Sequence, residues 1–261
     1  MIEEGLLLPM NVLLQGQKLT LLDPEMWFLR GNENKDVTLV ITNRNNKDVT
    51  LVITIGNNHQ KLMVVEDILL LIDRSQIEVT AGKVIYHPLR IDILSKLLAF
   101  IDESTGSVER EHHELFADAL PFASEVVLFS KVASEAWFLA TYLSSDNINE
   151  ILFQHLRKTE CYKLVRYLLS QSLIQTSLYD LGELYGVSYS HFRRLCSYAL
   201  GGKVKTELCG WRVARAVLEI IEGNSDMTTI AHKYGYSSSS HFSAEVKSRL
   251  GKTPRELCKK L

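Results

Sequence analysis

Two adjacent arginines, Arg193 and Arg194, follow Tyr189-Ser190-His191-Phe192 in a stretch of helical spacing. A guanidinium is a rigid fork of paired donors that matches the O6 and N7 acceptors of guanine in the DNA major groove. On a helix Phe192 and Leu195 fall opposite the arginines and are expected in the core. Tyr189, Ser190, Arg193 and Arg194 then share an outward face. A similar stretch about fifty residues later presents Ser239, Ser240, Ser243 and Ala244. Serine can hydrogen-bond a base or phosphate but cannot fork, so this second face positions more than it specifies. Glu245 adds a negative charge beside it, expected on the inner side. Lys203, Lys205, Lys247, Arg249 and Lys252 are candidates for phosphate contact. If six phosphates were neutralised, log affinity would fall with log salt at a slope of about −5.

Other chemistry finds no matching spacing. His112-His113-Glu114 is too compact for a zinc-binding i, i+4 helix face, and Gly201-Gly202-Lys203 lacks the flanking residues of a phosphate loop. No Gly-x-Ser-x-Gly elbow occurs. Cys161, Cys196, Cys209 and Cys258 form no Cys-x-x-Cys pair, so a reduced protein without structural zinc is expected. Enzymatic activity, metal and cofactor are not expected.

The elements that must hold the arginines come as two similar units. Residues 178–199 and 227–249 each read as a short helix, a turn at Tyr-Gly, a serine cluster able to cap, and a second helix. Gly182 precedes Gly186 by four, and Ala231 precedes Gly235 by four. A small residue there lets two helices approach, and a turn glycine accepts positive φ. Val204–Glu222 reads as one connecting helix of roughly 28 Å, with Asn224 or Ser225 as cap of the next. Such a connector sets the two second helices about one DNA turn apart, near 34 Å. A helical stretch over Ile148–Gln171 precedes both units.

These residues resemble the AraC/XylS family of bacterial transcription regulators. The resemblance rests on Gly182-x3-Gly186-Val187-Ser188, His191-Phe192-Arg193-Arg194-Leu195 and Arg212-Val213-x2-Ala216. It continues through Ile230-Ala231-x3-Gly235-Tyr236, His241-Phe242-Ser243 and Gly251-Lys252-Thr253-Pro254. It is closer still to InvF-type activators of type III secretion genes, through Pro24–Leu29, Pro88–Asp102, Leu156–Ser172 and Tyr185–Leu208. Asn34–Asn57 lies outside it. Many family members carry a basic residue where Ala244 stands. The resemblance places base contacts at Ser190, Arg193 and Arg194, with Tyr189 alongside, and at the equivalent Ser239, Ser240 and Ser243. It implies a DNA-binding activator of type III secretion and effector genes. It also implies promoter DNA and RNA polymerase as partners, and a tetratricopeptide-type secretion chaperone as co-activator; it leaves a homodimer open.

Charge divides the 261 residues in the same place. Residues 150–261 hold 17 Lys+Arg against 10 Asp+Glu, whereas residues 1–149 hold 12 against 21, so a net of −2 hides an acidic part and a basic one. The polar run Ser144–Asn149 is the expected linker between a regulatory domain, 1–149, and a DNA-binding domain, 150–261. The first ninety residues alternate in short β-prone runs: Val12–Leu14, Met26–Leu29, Val37–Thr42, Val49–Thr54, Leu62–Val65, Ile68–Ile72, Ile77–Thr80 and Lys83–Tyr86. Helical spacing follows over Ile91–Ile101, Glu109–Ala117 and Ser124–Leu143. The expected class is α+β: a β-rich domain with helices, for which a cupin or jelly-roll form is one option, then an all-α domain. Trp137 and Trp211 are expected in cores.

Within the strands, Asn34–Asn45 and Asn46–Asn57 match at ten of twelve positions. An even offset of twelve keeps strand phase, so the copies can pair as a hairpin through Asn43–Asn46. The acidic N-terminus is unlike a signal peptide, and apolar clusters such as Ile68–Ile72 and Val126–Phe129 fall far short of a bilayer span, so a cytoplasmic protein is expected. Two rivals remain at this level. One is a regulator sensing a small ligand through His59, Asp73 and His87; the other is an interaction adaptor that has lost DNA binding.

Overall fold

The computed structural model describes residues 10–31, 33–34, 37–44, 50–55, 67–106, 116–121, 130–144, 147–171, 177–223 and 226–258. Its contacts divide the chain into two compact units, Met1–Lys163 and Leu164–Leu261. The division falls within one helix, beyond the polar run Ser144–Asn149 where the charge changes sign.

In the first unit β1 (Asn11–Leu14), β8 (Lys83–Pro88), β3 (Glu25–Leu29), β6 (Ile68–Ile72) and β9 (Ala117–Pro121) form one sheet in that order. A second sheet runs β2 (Lys18–Thr20), β7 (Ser75–Ala81), β4 (Val37–Asn43), β5 (Thr50–Ile55). All pairings are antiparallel. Strand 1 pairs with 8, 2 with 7, 3 with 6 and 4 with 5, which is a long hairpin rolled into a jelly roll, with β9 added at one edge.

Alternation decides which faces meet. Val37, Leu39 and Ile41 of β4 and Ile77 and Val79 of β7 are buried against Trp27, Leu29, Leu70, Ile72, Val84 and Tyr86 of the other sheet. Met26, Phe28, Leu69 and Leu71, the intervening residues of β3 and β6, are buried too. That second buried face explains why β3 and β6 read as continuous apolar runs.

The repeated segments do form a hairpin. Their innermost pair among the described residues is Thr42↔Thr50, and Asn45 and Asn46 of the expected turn lie outside the description. β9 corrects the helical reading of the stretch ending at Ala117. Its partner β6 lies far away in sequence, so local periodicity carried no sign of it. Leu62–Val65 and most of Glu109–Ala117 lie outside the described residues.

Helix α1 (Ile91–Thr105) ends on Gly106 at φ +65°. Helix α2 (Lys131–Leu143) starts at Ser130, whose hydroxyl accepts from Ala133 N. It buries Phe138 and leaves Val132, Leu139 and Leu143 exposed, while Trp137 is only half-buried rather than core. The stretch read as one helix over Ile148–Gln171 is two, α3 (Asn147–Arg157) and α4 (Glu160–Gln171). Thr159 makes the break: its Oγ1 donates to Leu156 O at 2.7 Å and accepts from Tyr162 N at 3.1 Å, capping α4. Asp102 of α1, 1% exposed, accepts from Arg157 at 2.8 and 3.1 Å and from the Tyr162 hydroxyl at 2.8 Å.

The second unit holds the rest of α4, then α5 (Leu178–Leu184), α6 (Tyr189–Leu200), α7 (Val204–Glu222), α8 (Met227–Lys233), α9 (Ser239–Leu250) and α10 (Pro254–Cys258). The Tyr167 hydroxyl donates to Leu181 O at 2.9 Å, and Arg215 donates to Leu169 O at 3.2 Å, tying α4 to α5 and α7. Val213, Ala216 and Val217 of α7 share a core with Ile230, Ala231, Phe242 and Val246.

Candidate nucleic-acid interface

Both helix pairs are built by the same local devices. Ser177 caps α5 by accepting from Asp180 N, and Ser188 caps α6 by accepting from His191 N. At the turn Gly186 has φ +82°, and Val187 N donates to Gly182 O at 3.1 Å. The second pair repeats this: Gly235 has φ +78°, Tyr236 N donates to Ala231 O at 2.9 Å, and Ser238 caps α9. An L side chain is strained at such φ, which is why both turns carry glycine. The cap of α8 is Asp226, which accepts from Thr228 N and Thr229 N, and not Asn224 or Ser225. A carboxylate there also answers the helix dipole.

The packing of α6 sets its outward face. Phe192 is 0% exposed and Cys196 is buried with it, which pushes the Cys196 thiol up to about 11. Leu195, expected in the core, is half-buried. Tyr189, Ser190, Arg193 and Arg194 are all exposed. The Arg193 guanidinium lies 5.7 Å from the centre of the Tyr189 ring, a cation–π contact that restricts its swing. Arg194 has no hydrogen-bonding or ionic partner among the described residues.

α9 presents a different surface. Ser240 and Ala244 are exposed, and Ser239 and Ser243 are half-buried. Lys203, Lys205 and Lys247 are exposed, and Lys252 is half-buried. Arg249 is engaged within the protein: its Nε donates to Glu245 at 2.6 Å and its Nη1 to Thr206 O at 3.4 Å. The Cys209 thiol donates to the same Glu245 oxygen at 3.2 Å, and the Arg249 bond holds the Glu245 carboxyl below the usual range. The Glu245–Arg249 spacing of four was readable as a helix-surface ion pair, yet Arg249 was expected to be a free phosphate contact. Trp211 of α7, expected as core, is half-buried.

The alternative ligand residues do not converge on a described site. Asp73 is held by Arg74 at 2.8 Å and Lys158 at 3.7 Å, while His87 Nε2 faces Glu33 at 3.8 Å. His59 lies outside the described residues. A cleft lined by Leu71, Ala117, Asp118, Ile151, Gln154, His155 and Lys158 has about 20 Å³ of free space, room for about one water. His112, His113 and Glu114 also lie outside the description, and among the described residues no cluster suits a metal. No described helix is long and apolar enough to cross a membrane.

Comparison with known proteins matches residues 181–260 to a helix-turn-helix domain family. The chain is 42% identical over 203 residues to the invasion protein InvF of Salmonella typhimurium, covering 76% of this chain and 92% of that one. It is 38% identical over 180 residues to the transcriptional regulator MxiE of Shigella flexneri, covering 66% and 84%. Among solved structures, an AraC-type DNA-binding-domain regulator from Chromobacterium violaceum is 25% identical over 37% of this chain and 87% of that one, with a TM-score of 0.35.

Proposed function

The chain belongs to the AraC/XylS family of helix-turn-helix transcription regulators, in the group of InvF and MxiE, and from that premise we propose that it binds promoter DNA and activates type III secretion genes. The observation that carries this reading is the outward face of α6, where Arg193 and Arg194 stand exposed with no carboxylate partner among the described residues. Tyr189, Ser190, Arg193 and Arg194 read bases in one major-groove segment, and Ser239, Ser240 and Ser243 touch the next. Lys203, Lys205, Lys247 and Lys252 hold phosphates. Arg249 joins them only by leaving Glu245.

This is the chemistry of a regulator in the cytoplasm and not of an enzyme. The sandwich unit carries the regulatory contacts. α9 has no arginine free to fork, so the second unit adds affinity without much specificity. Protein contacts restore what is lacking: RNA polymerase at the promoter, and a tetratricopeptide-type secretion chaperone as co-activator.

The test is Arg193→Ala with Arg194→Ala, read by promoter footprinting and a reporter. Loss of one groove segment of protection is expected, with about 1–3 kcal/mol of discrimination gone per fork. Activation unchanged by that double substitution would refute base reading by α6 and favour an adaptor. Footprints with and without the chaperone separate the partner from the DNA contact; full occupancy and activation without it would remove the chaperone from the reading.

A further inference from the structure

We propose that the outer edge of β5 is a docking edge for a second copy of this chain, paired antiparallel about Val52. β4 and β5 carry the two copies of the repeated segment, and Thr-Leu-Val-Ile-Thr stands at residues 38–42 and again at 50–54. The register between them is Thr38↔Thr54, Leu39↔Ile53, Val40↔Val52, Ile41↔Leu51 and Thr42↔Thr50. Each position of one copy therefore meets the mirror position of the other. The pairing has a local two-fold axis through Val40 and Val52. This five-residue segment is thus self-complementary as an antiparallel pair, and the chain already demonstrates the match internally.

β5 is the last strand of its sheet. Among the described residues its outer edge pairs with no strand, and Thr50–Ile55 contains no proline, lysine or other charge. Proteins that keep sheet edges solvent-exposed place such residues there, because an open row of N–H and C=O groups is a template for another strand. The occupant that matches best is the strand's own sequence. With Val52 opposite Val52 of a second copy, Thr50 meets Thr54 and Leu51 meets Ile53, the pairs β4 and β5 already make. Such an interface is isologous: one β5–β5 pairing consumes both edges, closing a dimer with a continuous eight-stranded sheet and not a filament.

The experiment uses the full chain and needs no DNA. Sedimentation across a concentration series should show a monomer–dimer equilibrium; a single monomer throughout overturns the proposal. Register is read by disulfide trapping, since directly opposed strand residues sit about 4.5–5.5 Å apart at Cα, within disulfide range. Val52→Cys should cross-link to itself. Thr50→Cys and Thr54→Cys should each fail alone and cross-link when mixed, with the parent chain as control for its native cysteines. Circular dichroism of each variant guards against misfolding. A dimer that cross-links without this pattern uses another surface and also overturns the proposal.

Discussion

Gly182 of α5 lies so close to Phe192 of α6 that a β-carbon on it would sit 3.1 Å from the Phe192 Cβ and 3.3 Å from its Cγ. Phe192 is the inward counterpart of Arg193 and Arg194, so this contact fixes the depth and rotation of the reading helix.

Enlarging Gly182 should therefore separate stability from simple helix propensity. Gly182→Val is expected to cost about 1–3 kcal/mol through overpacking. Gly182→Ala costs less, because a helix gains up to about 1 kcal/mol from alanine over glycine. Urea unfolding of the second unit gives the ranking, and promoter affinity should fall in the same order as α6 is displaced.

Glu245 accepts from Arg249 Nε at 2.6 Å. Glu245→Gln keeps an acceptor for Cys209 but removes the charge, which releases Arg249 to a phosphate. The dependence of log affinity on log salt should steepen by about 0.9, with several-fold tighter binding at low salt. A salt titration of promoter binding decides it; an unchanged slope means Arg249 does not reach the backbone.

Asp102 should be the costliest polar residue of the first unit. Asp102→Asn leaves Arg157 without its buried counter-ion and should destabilise that unit by about 3–5 kcal/mol. The second unit, which starts at Leu164, should keep its own unfolding midpoint. Paired fluorescence and circular dichroism transitions in denaturant measure both.

His155 makes the first unit acid-sensitive. Burial pushes its pKa down to about 4, and its Nε2 lies 3.0 Å from Glu25 O, a pure acceptor, so Nε2 carries the proton of a neutral ring. Between about pH 6.5 and about 4 the unfolded chain binds a proton that the folded chain refuses. The stabilisation is complete above that window and lost as pH falls through it, up to about 3 kcal/mol. His155→Gln, which can still donate to the carbonyl, should flatten the stability profile across the window.

Particular elements show what could be read before folding. The second unit was legible almost residue by residue: Val204–Glu222 is a helix as read, and Gly186 and Gly235 take positive φ at the turns. The signals there are local, since caps, turn glycines and 3.6-residue periodicity act within a few positions. Most strands of the sandwich were legible as short β-prone runs, β2 being missed, and the repeat announced its own pairing. β9 was not legible, because it depends on a partner distant in sequence. The break at Thr159 was missed although its cap is local, and only its anchoring to α1 is distant. β9 pairs with β6, and Thr159 Oγ1 accepts from the Ser95 hydroxyl at 2.9 Å across 64 positions.

The amino-acid sequence by itself determined the reading helices, their caps and turns, and the choice of arginine in one and serine in the other. Only tertiary structure brought the Thr206 carbonyl and the Cys209 thiol of α7 to the Glu245–Arg249 pair, whose spacing of four is local. It also decided which strand is left at the sheet edge. A charge is visible in one residue, whereas its availability depends on every group that folding brings within reach.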